Sequence, residues 1–455
     1  MGHSLVNDFR LVHAASKYIL SLDFGTSALK ASILDTDLKT LQSEKEEYPY
    51  VLLPGEKVEM EPGEVMRAMK ETCGRLDKAL RDNVGMLCYD SFSPSLVLMD
   101  EEGKPLHNIV THMDRRSRKE SEYICEKMGK ERYQAIVGVF PFTGGVSLTS
   151  LLWFMKESPE LIARVRRIGH LPTYFHKLLT GIWAVDFVNA SMMGLYETVK
   201  QGDWSDEILD VFDIPRDWLS PIHMPGESLG KLLPAIAAEI GLPEGIPVTM
   251  GTNDVVAAHA GAGNDRAGQI LNTAGSSDMV SILTDKATLH PQYYVRNAGV
   301  RGLWQIYATT SGGFAIEWFY NEFCRDMDKD HFFATFLPEA LACREGNPVA
   351  FAPYLAEDRQ SLERRTASWT GLTLASTRKQ MLAALLDSMQ TVLADTVAYA
   401  AQTTRMDPNI KVTGGMTADA VMRLKAENFP SYAFELKDDC PILGNAILAR
   451  DFRPE

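Results

Sequence analysis

The chain is poor in cysteine and poor in positive charge. Its six cysteines (Cys73, Cys88, Cys125, Cys324, Cys343 and Cys440) are scattered over 455 residues with no CxxC pair. That spacing argues against a disulfide scaffold or a thiolate zinc site, and for free thiols in a reducing cytoplasm. Lys and Arg number 46 against 60 Asp and Glu, a formal net charge of −14. Nucleic-acid binding needs a basic face, so the balance speaks against it and against docking on an anionic membrane. ATP stays open, because a phosphate site can be built from backbone dipoles and a few cations. No run approaches the roughly 18 apolar residues that span a bilayer. Residues 1–16, MGHSLVNDFRLVHAAS, lack the apolar stretch of a signal peptide, with Asp8 and Arg10 where it would run, and read as a loose extension.

What is present is an ordinary globular composition, 45% apolar and 23% charged, at a length that favours two or more domains. Strands and helices alternate in both halves, which predicts an α/β architecture. Two distant stretches share one design. YILSLDFGTSALKASIL (18–34) and QILNTAGSSDMVSIL (269–283) are each an apolar strand, a Gly with small hydroxyl residues, and a second apolar strand. A turn of that kind places backbone N–H groups and hydroxyls against phosphate oxygens. One copy equally fits an ordinary hairpin. Two copies suggest a duplicated fold gripping a polyphosphate from both sides.

Four further constellations bear on chemistry. Asp23 ends its strand beside Gly25, Thr26 and Ser27, where a carboxylate holds a hydrated Mg²⁺, and Lys30 follows as a point charge for phosphate; a turn cap and a solvated lysine fit equally. Asp254, in GTNDVVAAHAG, is placed as a general base or as a helix N-cap. Asp114 and Arg116 suit recognition of hydroxyls, or form a surface ion pair. Gly414-Gly415-Met416 and Gly312-Gly313 permit close backbone approach to a nucleotide, or are plain turns.

The order of these motifs resembles the FGGY family of carbohydrate kinases from about Tyr18 to Ala449. LDFGTSALKASILD is similar to the first phosphate motif, LHNIVTHMDRRS to the substrate segment, and KLLTGIWAVDFVNAS to a Leu-Thr-Gly and Asp-x-x-x-Ala-Ser stretch. VTMGTNDVVAAHAGAG resembles the segment of the catalytic Asp, LNTAGSS the second phosphate motif, and FAPYLAEDRQ a Pro-Tyr-Leu-x-Gly-Glu-Arg run. VTGGMTADAVMRLKAENF resembles the adenosine motif and CPILGNAILA the closing helix.

The resemblance implies two actin-like (ribonuclease H-like) ATPase domains, 17–262 for the sugar and 263–455 for ATP, with a central cleft. It implies ATP and Mg²⁺, with Asp254 as base and, with Asp23, near the metal. Asp114 and Arg116 would meet the substrate. Gly25, Thr26, Ser27, Lys30, Gly275, Ser276, Ser277, Gly312, Gly313, Gly414, Gly415 and Met416 would meet the nucleotide. Family homodimers are common. Departures from the pattern fall at Phe92, His112, Val255 and Glu317, and at Ala274 of the second turn. The first three put the substrate in question. A pentulose such as xylulose or ribulose is expected, with glycerol or a tetritol as the alternative. Two other classes compete: a non-catalytic sugar or nucleotide sensor on the same fold, and an actin- or chaperone-like ATPase.

Overall fold

The computed structural model describes residues 18–355 and 362–452. The expected extension 1–16 and the AEDRQ portion of the run beginning at Phe351 lie outside the described residues. The chain divides into two compact units. Of the described residues, the first holds those up to Gly263, the segment Arg296–Arg301 and those from Cys440; the second holds those within Asn264–Val295 and Gly302–Asp439. The single cut expected between 262 and 263 is therefore joined by three further crossings, after residues 295, 301 and 439. The physical reason lies in the inserted pieces. Within the first unit, the Arg296 guanidinium donates to the carbonyls of Ser191 and Gly145, and the helix Cys440–Asp451 packs against helix Asp254–Gly261.

The predicted hairpins form in both units. In the first, strand Tyr18–Phe24 pairs antiparallel with Ala28–Leu34, which pairs antiparallel with Thr40–Glu47. On its other side Tyr18–Phe24 runs parallel to Val84–Ser91, itself parallel to Pro247–Thr249. In the second, Ile270–Ala274 pairs antiparallel with Asp278–Thr284, which pairs antiparallel with Trp304–Thr310. On its other side Ile270–Ala274 runs parallel to Asn409–Thr413, itself parallel to Ala433–Leu436. Five strands thus recur in the same order with the same directions, which is the duplicated α/β, actin-like ATPase fold.

Alternation decides which face is buried. Leu20, Leu22 and Phe24 point with Leu29, Ala31 and Ile33 into one core, where Phe24 stacks on Phe175 with ring centroids 4.1 Å apart. Strand Val84–Ser91 is buried along its whole length, as a parallel strand covered on both faces must be. In the second unit helix Arg378–Ala400 opens with a capping box between Thr377 and Gln380. Among the described residues it is the one helix long and apolar enough to cross a membrane, which the sequence expectation did not anticipate. Its buried residues, among them Leu382, Leu385, Leu386 and Met389, belong to the core of the second unit.

Candidate functional site

Three carboxylates meet at the carboxyl ends of adjacent strands in the first unit. Asp23 pairs in register with Asp90 across the parallel strands, and Thr252 pairs with Asp90 from the other side, so Asp254 follows two residues beyond. Ligand sites of α/β sheets lie at this edge. Asp90 is fully buried; Asn445 of the last helix donates to its Oδ2 at 2.5 Å, while Oδ1 meets no hydrogen-bond donor. Burial and the nearby charges of Asp23 and Asp254 hold the Asp90 carboxyl well above the usual range.

Asp254 is the first residue of helix Asp254–Gly261, and Asn253 is its N-cap, accepting from Val255 N at 3.1 Å. The cap reading of Asp254 therefore belongs to its neighbour. Asp254 Oδ1 accepts from Val255 N and from Asn253 Nδ2, each at 2.8 Å, and the side chain stays partly exposed. Desolvation, then the charge of Asp23, raise its pKa from 3.8 to about 7. A carboxylate so poised accepts a proton at neutral pH.

The first turn is tethered from behind. Tyr48 Oη donates to the Gly25 carbonyl, Tyr50 Oη to the Thr26 carbonyl, and Tyr48 N to the Ser27 carbonyl at 3.2 Å. Because N–H and C=O of a trans peptide point oppositely, the N–H groups of Thr26 and Ser27 face away from the tyrosines. Lys30 stands directly across the hairpin from Asp23.

The second unit repeats the device with other parts. Gly313 N donates to the Gly275 carbonyl at 3.0 Å, and Phe314 N to the Ser276 carbonyl at 2.9 Å. The N-terminal N–H groups of helix Gly312–Phe323 thus hold the hairpin, and the N–H groups of Ser276 and Ser277 point the other way. Met416 N donates to the Ala274 carbonyl at 2.8 Å. A Cβ on Gly312 would lie 2.4 Å from Asp278 N, and one on Gly414 2.4 Å from the Ala274 carbonyl oxygen; both have positive φ. Neither position admits a side chain. Gly415, in contrast, faces open space. The structure therefore gathers Gly275, Ser276, Ser277, Gly312, Gly313, Gly414, Gly415 and Met416 around one turn.

Asp114 and Arg116 are no surface pair. Their side chains are 0% and 2% exposed, with Arg116 Nη2 2.8 Å from Asp114 and 2.5 Å from Glu59. Asp114 also accepts from Val58 N at 2.7 Å and Arg116 N at 3.0 Å, and the guanidinium lies over the Trp153 ring at 5.1 Å. The Asp114 carboxylate and the Nε and Nη2 of Arg116 are thus engaged by each other, by Val58 N and by Glu59. Phe92 is buried edge-on to His112, with centroids 5.8 Å apart. Glu317 pairs with Lys329 at 2.7 Å, which offsets its charge.

Sequence reasoning quoted the stretch around Asp186 but gave it no role, and missed its partners. Asp186 accepts from Val188 N and Asn189 N at 3.2 Å each, from Asn189 Nδ2 at 2.7 Å and from Thr252 Oγ1 at 2.9 Å. Asn189 in turn meets Ser93 and His170, and His170 meets Ser147 at 2.8 Å. This buried chain fixes the strand that delivers Asp254. Burial keeps His170 neutral, its pKa lowered to about 4. The described cysteines form no disulfide, and burial pushes the Cys73 and Cys88 thiols up to about 12, out of thiolate chemistry.

The chain is 25% identical over 432 residues to the gluconokinase of Bacillus subtilis, covering 90% of this chain and 82% of the relative. It is 25% identical over 445 residues to the xylulose kinase of Lactococcus lactis, covering 95% and 87%. Its fold matches the crystal structure of a xylulose kinase from Lactobacillus acidophilus with a TM-score of 0.85 at 20% identity, over 95% of this chain and 89% of that one. The model of the N-terminal domain of the FGGY carbohydrate kinases matches residues 18–261, more than half of the chain. The chain belongs to the FGGY family of carbohydrate kinases.

Proposed function

We propose that this sugar kinase transfers the γ-phosphate of ATP to a hydroxyl of a pentulose of the xylulose type, with Asp254 as the general base. The observation that carries the reading is Asp254 itself: partly exposed at the carboxyl edge of the sheet, beside Asp23, and raised to about 7. Asp254 takes the hydroxyl proton as the new O–P bond forms and the bond to ADP breaks. Within the first unit the N–H groups of Thr26 and Ser27 are donors for phosphoryl oxygens and Lys30 adds a cation; within the second, the N–H groups of Ser276 and Ser277 are donors for the phosphates of the nucleotide. Such transfer is driven by positioning and electrostatics. Asp114 and Arg116 support the substrate wall through Glu59 and Trp153.

The acidic edge fits a hydrated Mg²⁺. It carries an orphaned buried acceptor, Asp90 Oδ1, and repelling carboxylates. Among the described residues no group of three or more His, Cys, Asp or Glu side chains is placed to hold a metal ion by itself. A hydrated Mg²⁺ keeps its waters and takes one or two carboxylates plus phosphates. Asp23 and Asp254 would hold it, and it would supply charge neutralisation at the β- and γ-phosphates.

Asp254→Asn tests the base. Turnover is expected to fall by about 10²–10⁴ while calorimetry shows ATP binding kept; wild-type turnover removes Asp254 from the mechanism. The relative named xylulose kinase supports the acceptor, and screening xylulose, ribulose, gluconate and glycerol by ADP release decides it. Turnover with gluconate or glycerol and none with a pentulose overturns that choice.

A further inference from the structure

We propose that Asp278 and Lys425 are positioning residues for ATP, acting through the second glycine turn without touching the nucleotide. The proposal rests on the reading of residues 275–277 and 414–416 as the nucleotide site. Asp278 is the first residue after that turn, and its carboxylate is entirely buried. Lys425 Nζ lies 2.5 Å from Asp278 Oδ2, and the two side chains are 1% and 0% exposed. Gln390 Nε2 donates to the same oxygen at 2.9 Å, and Asn272 Nδ2 to Oδ1 at 2.7 Å. Asn272 Nδ2 also reaches the Met279 carbonyl at 2.8 Å, and Lys425 Nζ the Gln390 Oε1 at 3.4 Å.

Each partner comes from a different element. Asn272 lies on the strand entering the turn, Gln390 on helix Arg378–Ala400, and Lys425 on helix Asp419–Asn428, which follows the Gly414–Met416 loop. One carboxylate therefore ties the phosphate turn to the helix that leaves the adenosine motif. A buried ion pair of this kind is a poor source of net stability, since a well-packed apolar pair serves as well or better. What it supplies is direction: short charge-assisted bonds admit one arrangement, where apolar packing tolerates several. A phosphate turn needs that, because its donors act only within about 0.5 Å of the productive place.

The test compares wild type, Lys425→Met, Lys425→Arg and the double variant Asp278→Asn/Lys425→Met. Circular dichroism and thermal melting report the fold, and calorimetry reports sugar binding. The double variant removes both charges and is expected to stay folded. Its KM for ATP is expected to rise about tenfold or more with sugar affinity unchanged. Should it fail to fold, Lys425→Arg keeps the charge, alters the geometry, and is expected to show the same selective rise. KM for ATP and for sugar within twofold of wild type in a folded variant overturns the proposal, as does an equal rise in both. A wild-type protein that binds sugar and no ATP overturns the underlying reading, and this inference with it.

Discussion

Asp254 has a titration with two readable consequences. Its pKa is raised from 3.8 to about 7 by desolvation and by Asp23. A base must be unprotonated, so kcat/KM is expected to fall tenfold per pH unit below about 7 and to level off above it. A pH profile flat from 5 to 8 contradicts the assignment. For stability the sign runs opposite. Between 3.8 and about 7 the folded state holds a proton that the unfolded state has lost, so this group's contribution declines as pH rises through that window. Asp254→Asn keeps the Oδ1 acceptor for Val255 N and removes the charge. It is expected to melt above wild type at pH 8 and no higher at pH 4, as scanning calorimetry will show. Asn445 offers a second test at this scale. Asn445→Leu removes the 2.5 Å donor from a buried carboxylate, and a loss of about 1–3 kcal/mol in urea unfolding is expected.

Between elements, the decisive contact is the crossing of helix Asp254–Gly261 with helix Cys440–Asp451. A Cβ on Gly261 would lie 1.9 Å from the Cys440 carbonyl oxygen, and one on Gly444 1.7 Å from that of Ala257. These helices touch backbone to backbone. Gly444→Ala gains helix propensity yet forces them apart, and a net loss of about 1–3 kcal/mol with reduced turnover is expected, because the shift moves Asp254. Gly74→Ala, in helix Pro62–Arg75 with open space around it, is expected to gain up to about 1 kcal/mol. Denaturant midpoints of the two variants should move in opposite directions. This scale also separates what the sequence could tell from what it could not. Asp23, Asp254 and the glycine turns were legible because their chemistry is local: a carboxylate or a Gly-Ser run beside a strand end. Asp90 sat in plain view at the end of a strand, but its partner Asn445 lies 355 residues away. Lys425 looks like any helix lysine until the fold sets it on Asp278, 147 residues distant. Asp114 and Arg116 were recognisable as a pair, whereas their burial depended on Glu59 and Trp153. The turn tethers likewise escaped notice, since nothing in a Gly-Thr-Ser run announces that Tyr48 and Tyr50 hold its carbonyls.

For the whole molecule, the non-contiguous first unit makes a prediction about fragments. Ending the chain at Asp439 removes Gly444 and Asn445, and with them the support of helix Asp254–Gly261 and of Asp90. That truncation is expected to destroy sugar binding and to leave backbone amides around Asp90 and Asp254 exchanging freely by hydrogen–deuterium exchange. Retained sugar affinity would show the last helix to be dispensable. The same connectivity sets an order of events on the ribosome. Every described strand and helix of the second unit has emerged once residue 439 is clear, whereas the unit begun first still waits for its final helix. Maturation must therefore finish with the half whose synthesis started earlier, and until then its acidic edge stands without the asparagine that neighbours it.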